Sequence, residues 1–173
     1  MKSLYTQNNL KPVSTSSILM FFLGCEADGE LFFNPLYQRE YVWSDAEAQF
    51  LLKQIFDNKP IGSLALVLNE SGDPSHYCEV VDGRQRLTTL IRFVKGEFPY
   101  RLPDGKEIFF SEMSKLDQME FKKTKVPHYE LSTDTSEPVS DKQKIEYFYS
   151  VNFAGVPQSE QHKKQIEELL GQL

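Results

Sequence analysis

Apolar positions along the chain recur with two different spacings, and the change between them marks the most informative segment. Four apolar residues have the i, i+3, i+4, i+7 spacing of one helix face: Leu87, Leu90, Ile91 and Val94. They follow closely on the apolar pair Val80-Val81, with Asp82-Gly83 between the two patterns. The sequence therefore predicts a strand, a sharp turn at a glycine, and a helix over about residues 85–95.

The same spacings predict the elements in the rest of the chain. Helices are predicted over residues 14–24, 44–56, 114–123, 141–153 and 159–170. Strands are predicted over residues 30–33, 62–68, 77–81, 98–102, 107–110 and 125–131. Ser44 and Glu47 form a capping-box pattern at the start of the second helix. Pro127 favours an edge position for the last strand, and the final helix has one thin apolar edge that either meets a partner or folds back on its own domain.

Composition and charge limit the classes of function. The chain has 173 residues, a formal net charge of −6 and a pI of about 5.1, so broad electrostatic binding to nucleic acid is disfavoured. No apolar run reaches the length of a membrane span. Cys25 and Cys78 are far apart and have no metal-ligand or redox spacing, which is typical of core residues in a reducing cytoplasm. The three histidines and the cysteines show no metal-site or nucleophile signature.

Polar residues concentrate in the turn and first helical residues that follow Val81. Arg84, Gln85 and Arg86 occupy the first helical turn, where acidic residues are usually preferred. A bound anion such as phosphate would explain the arginines, because a helix N-terminus has free N–H groups and a positive dipole end. Alternatively, Arg84 or Arg86 pairs with Asp82 and only braces the turn.

Two further stretches carry candidate chemistry. Residues 37–43 combine three aromatic side chains with Gln38, Arg39 and a glutamate, between a strand end and a capped helix. Such residues stack on bases and hold phosphate, or else the rings fill the core and Arg39 is solvated. Asn152 precedes the helix stop signals Gly155 and Pro157, where an asparagine either contacts a ligand or bonds the local backbone.

Together these stretches resemble one family. Residues 35–43 contain Tyr-Gln-Arg followed by Trp, and residues 60–64 form the next motif. Residues 80–90 are similar to the pattern Asp-Gly-Gln-Gln-Arg-Leu-Thr-Thr-Leu. The last motif consists of Asn152 and Gly155. This order resembles the N-terminal domain of GmrSD-type modification-dependent restriction enzymes, within the larger ParB/sulfiredoxin-like group. The resemblance spans about residues 12–165.

The resemblance implies an α+β fold with a small mixed sheet, ParB/sulfiredoxin-like, that binds a nucleoside triphosphate (NTP) with Mg²⁺. It places a nucleotide-binding core at residues 12–157 of a single domain 1–173. The remaining C-terminal helix, 158–173, is a candidate docking segment because of its thin apolar edge. Asp82 would hold magnesium and serve catalysis. The implied phosphate or nucleotide contacts are Tyr37, Gln38, Arg39, Gly83, Arg84, Gln85, Arg86, Thr88 and Asn152.

Two departures from the family pattern shape the expected function. Arg84 stands where the family usually has glutamine, which keeps a donor and adds a charge. The sequence also has no His-Asn-His nuclease motif, so the leading expectation is a regulatory nucleotide-binding domain with weak magnesium-dependent NTPase activity and a nuclease partner. A non-catalytic interaction module and a ParB-like DNA-binding or nicking protein are the alternatives. The nucleotide, the oligomeric state, and whether the chain is a subunit, a standalone defence or phage protein, or part of a longer protein stay open.

Overall fold

The computed structural model describes residues 9–69, 72–135, 137–153 and 160–172. Within these ranges the helices are α1 (Leu19–Ala27), α2 (Asp45–Phe56), α3 (Arg84–Val94), α4 (Lys115–Lys122), α5 (Asp141–Phe153) and α6 (Glu160–Gln172). The strands are β1 (Leu10–Ile18), β2 (Leu31–Phe32), β3 (Leu64–Leu68), β4 (Cys78–Asp82), β5 (Tyr100–Arg101), β6 (Glu107–Ile108) and β7 (Lys125–Thr133). None of the described helices is long and apolar enough to span a membrane.

Five strands form one mixed sheet in the order β1-β7-β3-β4-β2, and β5 and β6 form a separate hairpin. β7 is antiparallel to β1 and parallel to β3, while β4 is antiparallel to β3 and parallel to β2. The prediction of an α+β fold with a small mixed sheet and surrounding helices is confirmed. Because β4 lies between two strands, the turn that follows it leaves from inside the sheet.

Helices cover both faces of this sheet. Side chains of β3 alternate between two cores, with Leu64 and Leu66 in one and Ala65 and Val67 in the other. Helices α1–α4 supply the first core, and α5 and α6 supply the second. Burial on both faces explains why β3 is a continuous apolar run.

The capping box and the turn-helix segment are confirmed with small shifts at their ends. The Ser44 hydroxyl accepts from the Glu47 N–H, and the Glu47 carboxylate accepts from the Ser44 N–H at 2.7 Å. The helix predicted over residues 85–95 is α3, and its apolar stripe is buried against the sheet. The predicted hairpin is present as β5 and β6.

The prediction of a helix over residues 14–24 is wrong in its first half. Residues up to Ile18 form β1, which pairs along its whole length with β7, and the helix begins only at Leu19. The serines and threonine at 14–17 were interpreted as a helix start, but no side chain caps α1. These short polar residues instead suit an exposed edge strand, where Thr15 adds β propensity.

The edge position predicted for the strand with Pro127 is also wrong. β7 lies inside the sheet between β1 and β3. Its pairing with β3 begins only at His128, one residue after the proline. Pro127 therefore has a neighbouring strand on one side only, and its missing N–H interrupts no bond to β3.

Helix α6 folds back on its own domain. Ile166 is fully buried in the second core, and the ring of His162 lies 5.8 Å from that of Phe148 in α5. This is one of the two alternatives raised by the thin apolar edge. Docking of residues 158–173 on a partner stays a prediction. The stop signals Gly155 and Pro157, and Ser159 at the predicted start of the last helix, lie outside the described residues.

Candidate functional site

The turn between β4 and α3 fixes the start of the helix against the sheet. Gly83 has φ +97°, a left-handed conformation that favours glycine. A Cβ at this residue would also overlap the Leu64 side chain of β3. Both the backbone and the packing therefore require glycine here, which explains the Asp-Gly step without reference to a ligand.

Helix α3 begins without a side-chain cap. Gly83 has no side-chain oxygen to cap the helix, and the first turn contains no acidic residue. The first intrahelical bond is the one from Leu87 N–H to Gly83 O, at 3.0 Å. The preceding N–H groups of residues 84–86 have no intrahelical acceptor, so they and the helix dipole form an end that favours negative charge.

The Asp82 carboxylate is held from two sides. Arg86 Nη2 donates to Oδ2 at 3.1 Å, and Asn152 Nδ2 donates to Oδ1 at 3.1 Å. Asn152 Nδ2 also lies 3.0 Å from the Phe148 carbonyl oxygen, in its own helix. Asp82 thus connects α3 to α5, and both Arg86 and Asn152 brace the turn.

The segment of residues 38–43, which we call the facing loop, lies against the same turn. Gln38 Nε2 donates to the carbonyl oxygens of Val80 and Val81, the latter at 2.8 Å, and so anchors the loop on β4. These two acceptors fix the orientation of the amide. Gln38 Oε1 is buried and has no hydrogen-bond partner among the described residues.

Gln85 holds the middle of the facing loop. Its Oε1 accepts from the N–H groups of Val42 at 2.9 Å and Trp43 at 3.3 Å, and its Nε2 donates to the Glu40 carbonyl oxygen at 2.9 Å. Both polar atoms of the side chain are therefore engaged with loop backbone.

The remaining arginines differ in how firmly they are held. The Arg84 guanidinium lies 5.2 Å from the centre of the Phe33 ring and 3.9 Å from a Glu40 carboxylate oxygen. Arg39, by contrast, makes no hydrogen bond or ion pair with any part of the chain that the structure describes. Arg39 is therefore the lining arginine that the described residues hold least firmly.

These elements enclose a pocket of about 370 Å³, within the usual range for small-molecule sites. Its lining consists of Gln38, Arg39, Trp43, Asp82, Gly83, Arg84, Gln85, Arg86, Phe148, Val151, Asn152 and His162. Three arginines against one aspartate give the lining a formal charge of +2, in a chain whose net charge is −6.

The family model for the GmrSD restriction endonuclease, N-terminal domain, matches residues 22–166. The chain belongs to this family. A search of curated proteins found no match. Among solved structures, the chain is similar to a Pnob8-like ParB-N domain, with 11 % identity and a TM-score of 0.47 over 96 % of this chain and 47 % of that one. It spans about half the length of that structure.

Eight of the ten predicted site residues come together in the pocket. The predicted residues that line it are Gln38, Arg39, Asp82, Gly83, Arg84, Gln85, Arg86 and Asn152. Tyr37 does not, because its ring is buried in the core and only 1 % exposed, and Thr88 does not line the pocket either. Their ligand roles stay predictions that the geometry does not support.

Four lining residues were not among the implied ligand contacts: Trp43, Phe148, Val151 and His162. Trp43 belongs to the aromatic stretch of the Tyr-Gln-Arg motif, so the sequence did carry a signal for it. His162 had none, because it reaches the pocket only through the packing of α6 on α5. Its Nε2 lies 3.2 Å from the Tyr37 carbonyl oxygen.

A buried polar network supports the site from behind. Glu79 of β4 accepts from Lys144 Nζ at 2.8 Å, from the Tyr37 hydroxyl at 2.9 Å and from Asn34 Nδ2 at 3.3 Å. Burial alone lowers the pKa of Lys144, but its bonds to Glu79 and Asp141 outweigh this effect and raise it above the ordinary value. Burial and the Glu79 carboxylate raise the pKa of Tyr37. The network ties α5 and the start of the facing loop to β4.

The donor set fits phosphate better than a metal ion. The described residues contain no group of three or more His, Cys, Asp or Glu side chains able to hold a metal. Asp82 is the one carboxylate in the lining, and each of its oxygens already accepts a hydrogen bond. Mg²⁺ at nucleotides is usually held by one or two carboxylates together with phosphate oxygens. The residues present do not form a magnesium site by themselves.

Proposed function

We propose that the pocket at the N-terminus of α3 binds the phosphates of a nucleoside triphosphate, and that this binding regulates a restriction-type system. One observation carries the proposal: an uncapped helix N-terminus and three arginines line the same pocket of an acidic protein. Backbone N–H groups and guanidinium groups are the usual donors to phosphate. The nucleoside part of the ligand follows from the family resemblance.

The arrangement suggests distinct roles for the donors. The N–H groups of residues 84–86 would bind one phosphate group at the dipole end. Arg84 and Arg86 flank this end of the helix, and Arg39 approaches from the facing loop. Because Arg39 has no competing ion pair among the described residues, it is the best candidate to close over a bound polyphosphate.

Turnover and magnesium dependence belong to the proposal only as expectations from the resemblance. Asp82 would have to release Arg86 or Asn152, or share an oxygen, in order to contact a metal bound to the phosphates. Any NTPase activity is therefore expected to be weak.

Calorimetric titration with the four common NTPs and with inorganic tripolyphosphate, each with and without magnesium, tests the proposal. Arg39→Ala should weaken binding by about 10- to 100-fold, since a charge-assisted hydrogen bond contributes roughly 1.5–3 kcal/mol. The free energy of unfolding should not change. Arg101→Ala is the matched control, because it removes the same charge from the distant β5 strand, where Arg101 pairs with Glu107 at 3.0 Å.

Equal affinity of Arg39→Ala and the unaltered protein would remove Arg39 from the site. Absence of binding by every nucleotide and by tripolyphosphate would overturn the phosphate site and favour the interaction module. For the regulatory role, the purified chain should not cut plain or modified DNA with NTP and magnesium present. Robust cleavage abolished by Asp82→Ala would favour the direct nuclease instead.

A further inference from the structure

We infer that the side chain of Gln85, the residue before the arginine in the Asp82–Arg86 motif, positions the facing loop and is not a phosphate ligand. The statement about phosphate rests on the proposed function. The contacts between the Gln85 side chain and the facing loop do not depend on it. Oε1 has two lone pairs, and two loop N–H groups, of Val42 and Trp43, occupy them. One of the two Nε2 hydrogens goes to the Glu40 carbonyl oxygen.

Gln85 is the first of three α3 side chains that hold the loop. The Thr89 hydroxyl lies 3.0 Å from the Tyr41 hydroxyl, and the Arg92 guanidinium lies 4.6 Å from the centre of the Tyr41 ring. Residues 85, 89 and 92 have the i, i+4, i+7 spacing of one helix face. Helix α3 therefore packs its apolar stripe on the sheet and holds the facing loop with a separate polar face.

The loop needs this support because it has no regular secondary structure and no sheet pairing. It carries Arg39 and Trp43 into the pocket, and Gln85 bonds the Trp43 backbone directly. A side chain at this position that cannot accept these N–H groups would release both residues from the site. The N–H of Gln85, in contrast, stays available to phosphate whatever the side chain is.

Trp43 is the single tryptophan of the chain, so its fluorescence reports the loop without a label. The test measures acrylamide quenching of Trp43 in the absence of any ligand, in Gln85→Ala and in Gln49→Ala. Gln49 is a close match: its Nε2 donates to the Pro99 carbonyl oxygen at 2.7 Å and its Oε1 accepts from the Arg101 N–H at 2.9 Å. Both variants thus remove a glutamine that bonds the backbone of another segment through both polar atoms.

In Gln85→Ala, the population of facing loop detached from α3, relative to the attached population, should rise by roughly fivefold or more. Each lost hydrogen bond contributes a factor of about two to ten. Quenching of Trp43 should rise accordingly, and it should not change in Gln49→Ala. Should Gln85→Ala fail to fold, Gln85→Glu carries the test. The glutamate carboxylate still accepts from the Val42 and Trp43 N–H groups, but it has no donor for the Glu40 carbonyl oxygen. Quenching should therefore rise, but less than in Gln85→Ala.

Unchanged quenching in the folded Gln85 variants would overturn the inference. If tripolyphosphate binding then fell as well, Gln85 would be a direct ligand. The inference and the proposed function can fail separately. A protein that binds no polyphosphate but loses its Trp43 protection in Gln85→Ala would contradict the function and support the positioning role.

Discussion

Loss of the Lys144 ammonium group should destabilise the domain by about 3 kcal/mol. Lys144 is 8 % exposed and its partner Glu79 is 3 % exposed, with 2.8 Å between Nζ and Oε2. Removal of one partner from a buried ion pair typically costs about 3–5 kcal/mol, because the other charge stays buried without compensation. We expect the lower end of this range, because Glu79 keeps its bonds from Tyr37 and Asn34.

Urea denaturation of Lys144→Met at neutral pH measures this change. Lys142→Met is the matched control, because Lys142 is an exposed lysine of the same helix, and its effect should stay within about 0.5 kcal/mol. The double variant Glu79→Gln with Lys144→Met should recover part of the loss, since the neutral amide leaves no buried charge. A loss below about 1 kcal/mol in Lys144→Met, with no recovery in the double variant, would show that the pair does not act as a buried charge pair.

Three further predictions concern the pocket and its support. Gly62→Ala should lower the melting temperature and weaken phosphate binding, because Gly62 has φ +77° and an added Cβ would overlap the Arg86 guanidinium; unaltered binding would argue against a role for Arg86. The free energy of unfolding should fall as the pH rises above about 10, because Tyr37 has a raised pKa in the folded state and the unfolded chain therefore releases its proton first. In Tyr37→Phe the slope of this fall should be smaller by up to about 1.4 kcal/mol per pH unit, as measured by urea denaturation in reducing buffer between pH 8 and 11. Asp82→Asn should strengthen tripolyphosphate binding without magnesium about fivefold, since one negative charge near the ligand contributes roughly 1 kcal/mol; calorimetry showing weaker binding would indicate that Asp82 chiefly orders Arg86.

The sequence predicted the elements whose local signals agree with their tertiary setting. The β4–α3 segment has an apolar strand, a required glycine and an amphipathic helix, and all three are present. The capping box at Ser44 is equally local. The predicted start of α1 and the predicted position of β7 were wrong because strand pairing decided them. β7 pairs with β1 and with β3, whose residues are distant in the sequence, and such pairing leaves no local pattern.

The site was predicted as a set of residues but not as a set of roles. A motif shows that Gln38 and Gln85 are near the turn, but it cannot show whether their amides point at a ligand or at backbone. Their orientation depends on the carbonyl and N–H groups of other segments, such as Val81 and Val42. His162 depends likewise on the packing of α6.

Within the Asp82–Arg86 motif, some residues shape the pocket, and others have polar groups that a ligand could contact. Gly83 and Gln85 are explained by packing and by the facing loop, and Asp82 holds Arg86 in place before any ligand arrives. An ordered guanidinium loses less side-chain entropy on binding than a mobile one, whose loss reaches about 2 kcal/mol. The Asp82–Arg86 contact also opposes ligand binding, because a ligand must compete with Asp82 for Arg86. Under the proposed function, a polyphosphate would compete for Arg86 better than a singly charged anion, because it carries more negative charge to the uncapped helix N-terminus.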